Sequence, residues 1–228
     1  MGRGSAVSLS NRATLSSVEK AKGVLARQVV SAFSELARSS LLSVTTGDIS
    51  VRIRGTDSIL ITPHAPFVEP IADRELLQIT LSGRILHKRA HPSFRQQVHL
   101  EIYRQRPDVH AIVHNHAPLA ILLGVCDLPI PPVTFDSVPF ADLPRVAAAG
   151  VPLDQWPGNV AAALAKGAPA ALLVNDGAIT VGGNLQQAVR RTLALEEMAD
   201  ILVVARLLQV VPSSLPPEAL EALRQVVW

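Results

Sequence analysis

Glu101-Ile102-Tyr103-Arg104-Gln105-Arg106-Pro107-Asp108-Val109-His110-Ala111-Ile112-Val113-His114-Asn115-His116 is the stretch that decides the fold of this chain. Its first part closes a helix. Ser93 to Arg106 carries Val98, Leu100, Ile102 and Tyr103 and stops just before Pro107, because the residue preceding a proline is pushed out of the helical region. Ala111-Ile112-Val113 then reads as a short apolar strand that runs into His114-Asn115-His116. Residues two apart on a strand leave the same face, so the two imidazoles can converge on one ion. The spacing is a metal-ligand arrangement, and it also arises by chance where histidines decorate a solvated strand end.

Upstream, Val18, Ala21, Val24, Leu25, Val29, Phe33, Leu36 and Ala37 recur at three- and four-residue steps, which predicts an amphipathic helix from Ser16 to about Ser40. Ile49, Val51 and Ile53 alternate with Ser50, Arg52 and Arg54; Ile59-Leu60-Ile61 and Leu77 to Leu81 follow as further short strands, separated by Gly55 and by Pro63 to Pro70. Downstream, a short helix runs from Pro118 through Leu123, and the proline-punctuated segment Leu128 to Pro144 reads as irregular. Pro157 to Lys166 reads as a helix, Ala170 to Asn175 as a buried strand ending at Asp176-Gly177, and Ile179-Thr180-Val181 as another strand. Asn184 caps a long helix from Leu185 to about Leu208, and Pro216-Pro217-Glu218 opens a last one. Strands and helices interleave without repeats. The expected class is therefore α/β, a single domain with a central, mostly antiparallel sheet flanked by helices. The expected organisation is an N-terminal tail over residues 1–14, the domain over 15–210 and a helical extension over 211–228.

A chain of 228 residues with 48% apolar and 18% charged side chains can bury one sizeable core or two small ones. Its 21 basic and 19 acidic residues leave a net charge of +2 and are scattered, which argues against a nucleic-acid binder. No uncharged run approaches the eighteen or so residues of a membrane span, and residues 1–13 lack the apolar core of a signal peptide. A soluble, cytoplasmic protein is expected. The single cysteine, Cys126, excludes an intrachain disulfide and is expected to be a buried, inert thiol in its apolar surroundings. The 7 histidines against one tyrosine and five phenylalanines point towards a metal. Beyond His114 and His116, Asp176 is the best candidate for a third ligand, although Asn175-Asp176-Gly177 taken alone reads as a tight turn.

The stretch from Glu101 to His116 resembles the signature of the class II aldolase/adducin family. Thr46-Gly47-Asp48-Ile49-Ser50-Val51-Arg52, Ile59-Leu60-Ile61-Thr62-Pro63 and Leu172 to Val181 resemble further family blocks in the same order, so the likeness spans nearly the whole chain. Its members include sugar-phosphate aldolases, a pentose-phosphate epimerase, a methylthioribulose-phosphate dehydratase and decarboxylases of hydroxylated aromatic or pyridine dicarboxylates. The resemblance implies a divalent metal that chelates adjacent substrate oxygens and stabilises an enediolate or enolate. It maps the family's two strand histidines onto His114 and His116 and its third histidine onto Asp176. Two imidazoles and one carboxylate suit Fe(II), Mn, Zn or Co and leave positions open for substrate. The alternative is that Asp176 only turns the chain and the site is eroded.

Two further departures bear on substrate. Aligning His99 with the family's helix histidine puts Arg95 where the aldolases have a glutamate. A guanidinium cannot transfer a proton, but it can grip a planar carboxylate through two parallel hydrogen bonds; the other reading is a helix arginine paired with solvent or a nearby acid. The family's phosphate-binding pairs become Gly47-Asp48, His64-Ala65 and Ser93-Phe94; aspartate repels a phosphate and phenylalanine offers no hydrogen. Phe94, Phe67 and Phe135 are candidates to line an aromatic pocket or to pack in the core.

The resulting expectation is a metal-dependent carbon–carbon lyase, foremost a decarboxylase of a non-phosphorylated hydroxylated aromatic or cyclic carboxylate. His114, His116 and Asp176 hold the ion, Arg95 orients a carboxylate, and His64 or His99 supplies a proton. Gly47, Asp48, Ser93 and Phe94 contact the substrate. The partner is a small-molecule carboxylate, with no nucleic acid and no membrane. The resemblance also implies a homotetrameric ring, with the final helix from Pro216 to Trp228 available for packing between or within subunits. Competing expectations are a non-haem Fe(II) oxygenase, an aldolase acting on an unphosphorylated aldehyde, and a catalytically silent adducin-like assembly domain.

Overall fold

Alternation along the strands sorts the apolar side chains of this protein onto two faces of one sheet. The computed structural model describes residues 8–42, 47–64, 71–86, 92–93 and 95–224. Thr46, Ala65, Phe67, His87, His91, Phe94 and Trp228 lie outside them. The strands are β1 (Asp48–Arg52), β2 (Ser58–Ile61), β3 (Leu77–Thr80), β4 (Ala111–Asn115), β5 (Arg145–Ala147), β6 (Ala170–Val174) and β7 (Gly177–Gly182). The helices are α1 (Ser8–Arg38), α2 (Gln96–Gln105), α3 (Pro118–Val125), α4 (Trp156–Leu164), α5 (Leu185–Leu207) and α6 (Pro217–Arg224). The sheet order is β3-β2-β1-β4-β7-β6-β5, antiparallel throughout except for the parallel β5/β6 pair.

Ile49, Val51, Ala111, Val113 and Ala178 point to one face, where they pack with Leu36 of α1, Leu123 of α3, and Leu195 and Met198 of α5. Ile59, Ile61, Ile112, Ile179 and Val181 point to the other, against Leu100 and Ile102 of α2 and Val160 and Leu164 of α4. This is the expected period-2 pattern of a sheet covered on both sides. Among the described residues no helix is long and apolar enough to cross a membrane.

Local signals explain most boundaries. The Asn184 side chain accepts from the Gln187 amide at 2.9 Å and caps α5. α3 starts with Pro118, and its next amides, Leu119 and Ala120, donate to the Glu196 carboxylate of α5 at 3.0 and 2.9 Å. That carboxylate at a helix N-terminus pins the chain just beyond His116.

Several expectations are corrected. Residues 8–14 belong to α1, not to a tail. The segment expected to be irregular holds a 3₁₀ helix, Phe135–Phe140, and is followed at once by the short edge strand β5, whose three residues are too few to signal a strand in the sequence. Cys126 is exposed, because α3 buries Ala120, Leu123 and Gly124 and its C-terminal end leaves the core. Phe135 is exposed as well. The sequence leaves both packings of the final helix open, and α6 makes contacts within its own chain, through Leu215 N–H to Pro132 O at 2.8 Å and an Arg224–Asp142 ion pair.

Candidate metal centre

The same alternation that sends Ile112 towards α2 sends His114 and His116 there too. Asp176 reaches them from the β6–β7 turn. Asn175 adopts a left-handed φ of 68°, and the Asp176 amide donates to Leu173 O at 2.9 Å. A Cβ on Gly177 would lie 2.0 Å from the carbonyl oxygen of Asn115. The Asn-Asp-Gly triplet is thus a tight turn pressed against the end of β4, and as a turn it delivers a carboxylate to the histidine pair.

One ligand atom each from His114, His116 and Asp176 lies within 4.8 Å of the others. His114 Nε2 stands 3.0 Å from Asp176 Oδ2, and the imidazole centroids are 4.9 Å apart at 69°. Two ligands at right angles around an ion with bonds of about 2.1 Å are about 3.0 Å apart. His116 Nε2 is buried and has no hydrogen-bond partner among the described residues, which fits a nitrogen lone pair reserved for a metal. The donor set, two imidazoles and a carboxylate, could hold a divalent ion.

Charge is organised around this cluster. Burial works against ionisation of Asp176, but His114 and Arg95 together hold its carboxyl well below the usual carboxylate range. Burial would depress His114; hydrogen bonding and attraction to Asp176 and Asp48 overcome it and raise the imidazole above its ordinary value. His116 is lowered to about 4 by burial and then by the neighbouring His114 charge, so it is neutral and able to ligate at neutral pH. A metal ion would take over from the proton on His114.

The remaining expected site residues divide clearly. The Arg95 guanidinium forms an ion pair with Asp176 Oδ1, with side-chain exposures of 13% and 12%. Arg95 thus meets the acid Asp176 at the edge of the cluster. Asp48 sits directly across the β1/β4 ladder from His114, its Oδ2 3.7 Å from His114 Nδ1. Burial opposes its charge, but His114, His99 and the Ser93 hydroxyl lower its pKa. The Ser93 Oγ also accepts from the Arg95 amide at 3.2 Å. Gly47 has φ of +115°, and a Cβ there would fall 2.6 Å from Leu42 Cδ2 and 3.2 Å from His114 O, so only glycine lets β1 enter so close to the histidine strand.

His99 is fully buried behind Asp48, with Nδ1 2.7 Å from Ser50 Oγ, which in turn lies 2.9 Å from the Tyr103 hydroxyl. Burial lowers it to about 4. His64 is exposed, one residue beyond Pro63, which bridges to Pro92. The structure brings His114, His116, Asp176, Arg95, Asp48, Ser93 and Gly47 together, with His99 behind them and His64 outside the cluster. Sequence reasoning missed Ser50 and Tyr103, which read as a strand's polar face and a helix's apolar face, and it missed Glu196, whose capping role has no local signal.

Residues 27–203 match the Class II Aldolase and Adducin N-terminal domain. L-fuculose phosphate aldolase of Escherichia coli O6:H1 is 31% identical over 185 residues, covering 78% of this chain and 81% of that protein. The 5-methylthioribulose-1-phosphate/5-deoxyribulose-1-phosphate aldolase of Rhodospirillum rubrum is 32% identical over 181 residues, covering 78% and 79%. A solved structure of L-fuculose 1-phosphate aldolase superposes with a TM-score of 0.78 at 26% identity, over 88% of this chain and 94% of that one. The matched range runs from within α1 to within α5 and so takes in the whole sheet and the histidine–aspartate cluster; the chain belongs to the class II aldolase and adducin family.

Proposed function

We propose that this protein is a divalent-metal-dependent lyase that decarboxylates a non-phosphorylated, hydroxylated aromatic or cyclic carboxylate. The observation that carries this reading is the Arg95–Asp176 pair. Where the sugar-phosphate aldolases have a glutamate, this chain presents a guanidinium, which stays protonated and cannot abstract a proton. Loss of carbon dioxide needs no base to begin it; aldol chemistry does.

A divalent ion (Mn, Fe(II), Zn or Co) on His114, His116 and Asp176 supplies Lewis-acid polarisation of adjacent substrate oxygens. Arg95, beside the cluster, orients the substrate's carboxylate. Asp48 is ionised and buried next to His114, which supports a substrate without a phosphate, since a phosphate there would meet like charge. Gly47 and Ser93 complete the substrate side; Phe94, expected there too, lies outside the described residues. His64, being exposed, is the better placed of the two histidines to protonate the carbanion left by decarboxylation; His99 has one ring nitrogen committed to Ser50 and lies behind Asp48. We read the active form as a cytoplasmic homotetramer.

An aldolase acting on an unphosphorylated aldehyde is the second reading; the names of the relatives at 31% and 32% identity favour aldol cleavage as the reaction, though both are named for phosphorylated sugars. The deciding experiment loads the protein with Mn, Fe(II), Co or Zn and follows carbon dioxide release from a panel of ortho-hydroxy carboxylates. Release that disappears in His114→Ala and falls in Arg95→Met supports the proposal. No release from any member overturns it, and retro-aldol cleavage in its place selects the second reading.

A further inference from the structure

At the opposite end of β6 from Asp176 lies a pocket of about 630 Å³, between the 3₁₀ helix Phe135–Phe140, the α4–β6 loop and α5. The five residues of β6 put it about 17 Å from the metal cluster. Its charge is unbalanced. Arg191 of α5 is half-buried, donates from Nη1 to Val181 O at 2.6 Å, and has a buried Nε with no acceptor among the described residues. Among the described residues no carboxylate forms an ion pair with it. The nearby Asp108 is ion-paired with Arg106 at 2.6 Å and attracts Arg191 only from beyond ion-pair distance, so burial and repulsion from Arg106 prevail and lower the Arg191 pKa. Lys166, exposed at the rim, has no ion-pair partner among the described residues either, whereas Arg224 and Asp142 satisfy each other at 2.9 Å. Two cations without an ion-pair partner among the described residues, one of them half-buried, therefore face one cavity. A guanidinium taken out of water without an anion is costly, and a bound anion removes that cost.

We propose that this pocket binds a small organic phosphate, with the phosphoryl group between Arg191 and Lys166 and the organic part against Pro139, Pro144 and Pro169. Two unpaired positive charges match a dianion better than a carboxylate, and the arginine fork with a lysine ammonium is a phosphate-binding pair. The volume is several times that of a phosphate ion, and the proline walls offer an apolar surface for the remainder of the molecule. The site is independent of the catalytic proposal, which calls for a substrate without a phosphate.

Calorimetric titration of the full-length protein, at fixed ionic strength, with phenyl phosphate, inorganic phosphate and benzoate tests the assignment. Phenyl phosphate is expected to saturate one site per chain and to bind about fivefold tighter than inorganic phosphate and at least ~10-fold tighter than benzoate. Arg191→Gln weakens it by ~10-fold or more, and Lys166→Gln, at an exposed position that carries no packing, by several-fold. His114→Ala leaves it unchanged. The proposal is overturned if phenyl phosphate does not saturate, if both cation variants bind like the parent, or if His114→Ala abolishes binding and so places it at the metal centre. Equal affinity for inorganic and phenyl phosphate overturns the organic part of the assignment.

Discussion

Removing Arg95 and Asp176, singly and together, measures the charge pair on which the chemistry of the site turns. Their side chains are 13% and 12% exposed, so water screens the pair little. Asp176 also receives the His114 imidazole at 3.0 Å. Asp176→Asn leaves Arg95 and a protonated His114 facing each other without an anion, a loss of roughly 3 kcal/mol. Arg95→Met leaves Asp176 with His114 alone and costs less. With both changed, the Arg95 charge is gone and only His114 has lost a partner, so the cycle should give a coupling of roughly 2 kcal/mol. The assay is urea unfolding of metal-free protein. Asp176 has a depressed pKa in the fold, so its contribution is present above the ordinary carboxylate value and is lost as pH falls through the depressed one. His114 is raised; its share is present below the ordinary imidazole value and is lost as pH rises through the raised one. The window between about pH 4 and pH 6.5 therefore holds both contributions in full. A coupling below about 0.5 kcal/mol in that window would refute a buried, mutually dependent pair.

Three other perturbations follow from the same geometry. Asp48→Asn removes the carboxylate that faces His114 Nδ1 and should weaken divalent-metal affinity by roughly 10- to 100-fold in competition with a chromophoric chelator; affinity equal to the parent's would show that Asp48 does not orient the ligand. Gly177→Ala forces a Cβ to within 2.0 Å of the Asn115 carbonyl and should destabilise by more than about 3 kcal/mol, whereas Gly158→Ala, in open space within α4, should stabilise by roughly 0.5–1 kcal/mol. Thermal melts giving the two variants the same sign would contradict both readings. His99 is neutral in the fold, with a pKa of about 4 against an ordinary 6.5. Its contribution is full above pH 6.5 and is lost as pH falls from there to about 4, a drop of roughly 3 kcal/mol that His99→Gln should remove from the metal-free protein. Parallel pH–stability profiles for parent and variant would disprove it.

How far these features could be read from residues alone depended on whether the signal was local. Strand parity made His114 and His116 converge, and the apolar runs around them placed β4, β6 and β7 in a sheet with helices on both faces. Asn175-Asp176-Gly177 could be read two ways, and the structure needs both, since the backbone approach that demands Gly177 is what aims Asp176. Other features were hidden because their cause is tertiary. Ser50 and Arg52 alternate with apolar residues as a solvated face would, yet they lie beneath α2, bonded to His99 and to Tyr103. α2 supplies the polar partners, and nothing within β1 announces it. β5 is a three-residue edge strand defined by its pairing with β6. Cys126 lies in an apolar run, but helix geometry turns it outward. That Arg191 has no ion-pair partner among the described residues emerges only when α5, the α4–β6 loop and the 3₁₀ helix are assembled around one cavity.

The cluster itself can be tested by diffraction. Crystals grown with Co(II) and measured on both sides of the cobalt absorption edge should show one anomalous peak per chain. The expected position is within about 2.0–2.3 Å of His114 Nε2, His116 Nε2 and one carboxylate oxygen of Asp176, with the other oxygen still held by Arg95. A peak on other residues, or two histidines ligating while Asp176 stays wholly with Arg95, would contradict it.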